Sequence, residues 1–112
     1  QGNVDAQSNL GQMYRKGDGV TQDYKEAIKW FSKAVEQGYV DAQYNLALMF
    51  AKGQGVILDN VYAHMWFNIA ASTGDADAVK NRDIVAKKMT FTDISKAQGL
   101  ARVCVQKNYK NC

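Results

Sequence analysis

Residues able to make or break bonds are few in this chain, and their spacing does not assemble a reaction centre. His64 is the single histidine. It follows Ala63 in a segment whose earlier counterpart carries Ile28, so a solvent-side or half-packed imidazole is expected rather than a general base. Ser8, Ser32, Ser72 and Ser95 stand in unrelated contexts, with no Gly-x-Ser-x-Gly elbow to expose a nucleophile. Gly17-x-Gly19 and Gly53-x-Gly55 could cradle a phosphate only after a strand and with a further glycine or a Gly-Lys-Ser/Thr ending; both follow helical patterns instead. Asp5, Asp41 and Asp77 recur as residues that open helices, where a carboxylate favours the N-terminal dipole, not as an acid and base pair.

Cys104 and Cys112 are the two cysteines, and with no histidine nearby they are too few for a metal centre. No cofactor or metal is expected. On one continuous helix their Cα atoms would stand about 12 Å apart, beyond disulfide reach. A bond therefore requires the last helix to end near Gln106 or Lys107, with Asn108-Tyr109-Lys110-Asn111 turning back. The other reading is one core thiol and one frayed terminal thiol.

The elements that would position these groups are set by an internal repeat. Asp5-Ala6-Gln7, Asn9-Leu10, Met13, Lys16-Gly17-x-Gly19-Val20, Asp23, Ala27, Trp30-Phe31 and Ala34 all return 36 positions later, as Asp41-Ala42-Gln43 through Ala70. A period of this size marks stacked supersecondary units. A third unit starts with Gly74, Asp77, Ala78 and Asn81 and then loses the pattern, as a terminal cap does where its outer face meets water.

Each unit reads as two helices. Ala6, Leu10, Met13 and Tyr14 recur at helical spacing, with Ala6, Leu10 and Tyr14 assigned to the core. Gly17 and Gly53 suit helix ends that need φ > 0. Asp23 opens the second helix, with Glu26 placed for a capping box, and Ala27, Trp30, Phe31 and Ala34 form its apolar face. Thr90-x-x-Asp93 opens a last helix carrying Ile94, Ala97, Leu100, Ala101 and Cys104. The expectation is an all-α chain of six helices: repeat 1 over about 3–38, repeat 2 over about 39–74, and a cap over about 75–112.

Ala6-x3-Leu10-Gly11-x2-Tyr14, Gly17-x-Gly19-Val20, Ala27-x2-Trp30-Phe31-x2-Ala34 and Gly38 resemble the Sel-one-like repeat (SLR) consensus, related to tetratricopeptide repeats but longer in the inter-helix turn. Met89-Thr90 to Leu100-Ala101 resembles the cap of many SLR proteins. Ala47 in place of Gly11 and Phe50 in place of Tyr14 are the departures. The resemblance implies an α/α right-handed superhelix with a C-terminal capping helix pair, acting as a non-enzymatic protein-binding scaffold. Exported SLR proteins carry similar terminal Cys pairs, which implies an oxidising compartment: a bacterial periplasm or the cell exterior. Some Cys-rich relatives are linked to β-lactam binding or hydrolysis, so weak small-molecule activity is the alternative function. A structural fragment of a longer array is a third.

On such a superhelix the first helix of each pair lines the concave side. Ser8, Gln12 and Arg15 in unit one, Tyr44 and Leu48 in unit two, and Lys80, Ile84 and Lys87 in unit three are the expected partner-binding positions. There Tyr44 and Leu48 would anchor a peptide and flanking lysines would meet its acidic groups. Alternatively Tyr44 and Leu48 pack against the neighbouring second helices. A net charge of +3 with scattered lysines does not point to nucleic acid. No apolar run is long enough for membrane insertion. Gln1-Gly2 matches the repeat end Gln37-Gly38, so the helix that would precede it is missing. An apolar edge on the first helix, supporting a weak homodimer, is expected from that.

Overall fold

The computed structural model describes residues 3–112; Gln1 and Gly2, and the expectation resting on them, lie outside the described residues. Six helices follow one another: α1 (Val4–Lys16), α2 (Tyr24–Val35), α3 (Val40–Lys52), α4 (Asn60–Ala71), α5 (Ala76–Ala86) and α6 (Phe91–Gln106). No strand occurs among the described residues.

Local chemistry fixes the boundaries. Asn3, Asp23, Asp59 and Thr90 each accept a backbone N–H from the first turn of the helix they open. Asp23 takes two, from Lys25 and Glu26, but among the described residues the Glu26 side chain does not bond back, so the capping box is half made. Gly17 and Gly53 adopt φ of 74° and 68° and donate to the Met13 and Met49 carbonyls, ending α1 and α3 in the left-handed cap that only glycine adopts without strain. The turn that follows is tied back by equivalent bonds, Asp23 N–H to the Tyr14 carbonyl and Asp59 N–H to that of Phe50. A Cβ at Gly55 would meet Tyr24 Cβ at 2.8 Å, so this glycine lets the second turn lie directly on the first hairpin.

The hairpins α1/α2 and α3/α4 stack through α2 against α3. The third pair is built differently: α5 and α6 both pack on α4 and scarcely touch each other. The result is an elongated all-α solenoid of 41 × 26 × 24 Å. Trp66 and the fully buried Phe31, Phe67, Met49 and Met65 are large apolar side chains of its core.

Identical positions in the two repeats meet different surroundings. Ala42, Leu46 and Met49 of α3 are buried, because α2 covers them. Their equivalents on α1 are not core residues: Ala6 is exposed, while Leu10 and Met13 are half-buried. The buried face of α1 consists of Gln7, Ser8 and Gly11, with Tyr14 half-buried beside it. The assignment of Ala6 and Leu10 to the core is thereby corrected, whereas Tyr14 packs half-buried against the core. Ala6 and Leu10 would be buried only by a second helix on the far side of α1, and the described residues supply none.

Candidate functional site

Ser8, Gln12 and Tyr44 come together with Asn9, Tyr39, Asp41, Asn45, Asp75 and Asp77 around a cavity of about 390 Å³. Three successive first helices build it: α1 supplies Ser8 and Gln12, α3 supplies Asp41, Tyr44 and Asn45, and α5 begins at its edge with Asp75 and Asp77. Ser8, Tyr44 and Lys80 occupy the same repeat position.

Its polar atoms are held in place. Tyr44 accepts from Asn81 Nδ2 at 3.0 Å and sets its ring edge-on to Phe67, centroids 5.6 Å apart. Asn45 donates Nδ2 to the Asp41 carbonyl at 2.8 Å, as Asn81 does to that of Asp77 at 3.0 Å. Asp75 caps α5 by accepting from the Asp77 N–H. Arg15 lies outside the lining and donates Nε to Gln12 at 2.9 Å. Burial, then the charges of Asp77 and Asp75, push the Tyr44 phenol above its ordinary pKa, with Arg15 opposing. The polar contact of Asp5 raises that of Tyr39, with smaller additions from burial and from the charges of Asp5 and Asp41.

The remaining expected positions do not join this cavity. Leu48 is half-buried and packs on the main core. Ile84 is exposed on α5, Lys80 is exposed beyond the lining, and Lys87 is the C-cap of α5. Tyr44 combines both readings, resting on Phe67 while lining the opening. Ser8 is 4% exposed, so only part of its side chain meets the cavity. Sequence reasoning missed Asn9, Tyr39, Asp41, Asn45, Asp75 and Asp77. The signal was there in the recurrence of Asp41 and Asp77, but it was explained by helix starts alone. The lysines expected to flank the groove are replaced at the cavity wall by carboxylates.

A second cavity, of about 250 Å³, is mainly apolar and lies among Ile28, Val35, Leu46, Phe50 and Trp66. The C-terminal turn closes one side of it through Tyr109 and Cys112. Cys104 and Cys112 form a disulfide with Cα atoms 5.6 Å apart. α6 stops at Gln106, and Asn108, Tyr109 and Asn111 take positive φ to bring the chain back. Tyr109 then reaches Gly38, and Lys110 Nζ donates to the Glu36 carbonyl at 3.2 Å.

His64 is 3% exposed, more deeply buried than the solvent-side or half-packed imidazole expected, and its Nδ1 is buried without a partner. Desolvation, then the nearby Arg82 guanidinium, lower its pKa, while Asp83 partly offsets them. A base whose folded pKa is depressed gives up stability as pH falls, because below about 6.5 the unfolded chain binds a proton that the fold resists. Thermal midpoints should therefore decline from neutral towards about pH 5. His64→Ile, copying the residue at the equivalent Ile28 position, should flatten that decline. Parallel profiles for wild type and variant would refute the assignment.

The Sel1 repeat pattern matches residues 4–39 and 40–75. A protective antigen of uropathogenic Escherichia coli strains, displaying an SLR fold, is 33% identical over 96% of this chain and 24% of its own, with a TM-score of 0.90. A Sel1 repeat protein from Oxalobacter formigenes is 39% identical over 71% of this chain and 33% of its own, with a TM-score of 0.70. This chain thus spans between 24% and 33% of the length of these two proteins. No curated protein matches it.

Proposed function

We propose, from the premise that this chain belongs to the Sel1 repeat family, that it is a protein-interaction scaffold holding a segment of a partner on the face formed by α1, α3 and α5. The observation carrying this reading is the 390 Å³ cavity to which all three first helices contribute. Repeat scaffolds use such continuous surfaces to read extended partners. Ser8, Gln12 and Tyr44 are its proposed contacts, with Arg15 at its margin, while Leu48, Lys80, Ile84 and Lys87 would act only if the partner extends further along the solenoid.

Photo-crosslinking tests this. A photoreactive residue at Gln12 should capture a polypeptide from an envelope extract, whereas one at exposed Lys29 on α2 should not. Equal capture from both positions, or capture from Lys29 alone, would sink the concave-face reading.

Hydrolysis of a β-lactam-like molecule is not favoured. Both cysteine sulfurs are joined to each other, and His64 is buried with no hydrogen-bonding partner for Nδ1. The disulfide supports placement in a periplasm or outside the cell. Among the described residues no helix is long and apolar enough to cross a membrane.

The outer face of α1, with Ala6, Leu10 and Met13, is also proposed to support a weak homodimer, because the same triplet on α3 is buried by a neighbouring helix. Sedimentation should show concentration-dependent association that Leu10→Glu removes. A single monomeric species over the whole range would count against it.

A further inference from the structure

The cavity lined by α1, α3 and α5 has a charge opposite to that of the chain. The protein carries a net +3, yet Asp41, Asp75 and Asp77 line this opening and no lysine or arginine does. Asp5 lies close enough to influence Tyr39 at its margin, and Arg15 is the cation facing Tyr44. Helix starts account for all three carboxylates, since Asp41 and Asp77 stand in the first turns of α3 and α5 and Asp75 caps α5. They do not account for two further groups at the same place. Ser8 is 4% and Asn45 6% exposed, and both line the cavity. Among the described residues the Ser8 hydroxyl has no hydrogen-bond partner. Asn45 commits its Nδ2 to the Asp41 carbonyl and leaves Oδ1 facing no donor. The described buried side-chain atoms left without a partner are Trp30 Nε1, Gln43 Oε1, Gln54 Oε1 and His64 Nδ1, so the Ser8 and Asn45 oxygens are not sealed off and are free to accept from a group that enters the opening.

We propose that this opening receives a basic side chain, the ammonium of lysine or the guanidinium of arginine, from a segment of the partner polypeptide. The inference rests on the scaffold reading above and names the partner's chemistry. The incoming group brings donors only, and the wall offers acceptors: the carboxylates of Asp41 and Asp77, Asn45 Oδ1 and the Ser8 oxygen. Asp75 adds charge, although one of its oxygens already caps α5. Tyr39 and Tyr44 provide aromatic surface beside the charge, which favours a cation. An acidic partner residue would instead face three carboxylates.

The test is a titration of the full chain, followed through backbone amide resonances, with three capped peptides identical except for a central lysine, arginine or glutamine. The lysine and arginine peptides should shift Ser8, Asp41, Asn45 and Asp77 saturably, with affinity falling as salt is raised. The relative affinity of the two distinguishes ammonium from guanidinium. The glutamine peptide should leave these resonances in place. Asp41→Asn/Asp77→Asn, which keeps Asp75 as the cap, should weaken binding by about tenfold or more. Retained helical circular dichroism checks that the double variant is folded, and Asp41→Asn alone serves if it is not. Equal shifts from the glutamine peptide, no saturable shift from either basic peptide, or unchanged affinity in a folded variant would overturn the proposal. If crosslinking from Gln12 still captures a polypeptide in that case, the scaffold reading stands and only the charge of its occupant is wrong.

Discussion

Replacing Phe67 by alanine is expected to lower the unfolding free energy by about 3–5 kcal/mol, the largest effect of any single truncation considered for this chain. Phe67 is 1% exposed on α4, the helix against which α3, α5 and α6 all pack. Removing its ring leaves a void in the main core, beside Tyr44, that close-packed neighbours fill only in part. That loss is a large share of a typical domain's stability of about 5–15 kcal/mol. Phe67→Leu, which keeps most of the volume, should cost less than about 1.5 kcal/mol. Urea unfolding followed by circular dichroism measures both. The alanine variant should also release the ring edge that holds Tyr44, loosening the wall of the α1/α3/α5 cavity in whatever fraction remains folded. A cost below about 1 kcal/mol for Phe67→Ala would mean that α4 is not the packing hub described.

Reduction of the Cys104–Cys112 bond should cost roughly 2–3 kcal/mol, as expected for releasing a short closed loop. The consequence is local before it is global. The bond holds a turn with three positive-φ residues that are not glycine, Asn108, Tyr109 and Asn111, and such conformations need support from their surroundings. Once freed, the turn loses the contact of Tyr109 with Gly38 and the bond from Lys110 to Glu36. The apolar cavity bounded by Leu46, Phe50 and Trp66 then opens to water. Reductant should lower the thermal midpoint, and the fluorescence of an apolar-site dye should rise before the helices melt. Cys112→Ser should reproduce both changes without reductant. Identical melting curves with and without reductant would show that the turn stays closed unaided.

Much of the architecture was legible because its causes are local. Gly17 and Gly53 end helices through their own backbone freedom, and Asp23, Asp59 and Thr90 start helices through bonds spanning two or three residues. The helix end required for Cys104 to meet Cys112 followed from rise per residue alone, and α6 stops at Gln106. Three of the eight expected partner positions, Ser8, Gln12 and Tyr44, meet at one cavity. Repeat register places equivalent residues on equivalent faces, and for those three that was enough.

What the sequence could not decide is what each face touches. Leu10 and Leu46 are the same residue at the same register, and only Leu46 is buried, because α2 lies over α3 and no described helix lies over the equivalent face of α1. Trp66 is buried, whereas Trp30 is half-exposed beneath Lys33, whose Nζ is 4.6 Å from the ring centroid. His64 was legible as solvent-side or half-packed, and its surroundings remove it from water almost completely. Asp41 and Asp77 looked like separate helix starts until α3 and α5 brought them to one opening with Ser8 and Asn45. Amino-acid order by itself determined the helices, their ends, the repeat and the chemistry carried on each register position, since propensity, capping and backbone sterics act within a few residues. Burial, the cavity across α1, α3 and α5 and its acidic character were decided by the tertiary structure alone. They depend on which helices become neighbours, and a repeat that encodes the same residue twice does not give it the same neighbour twice.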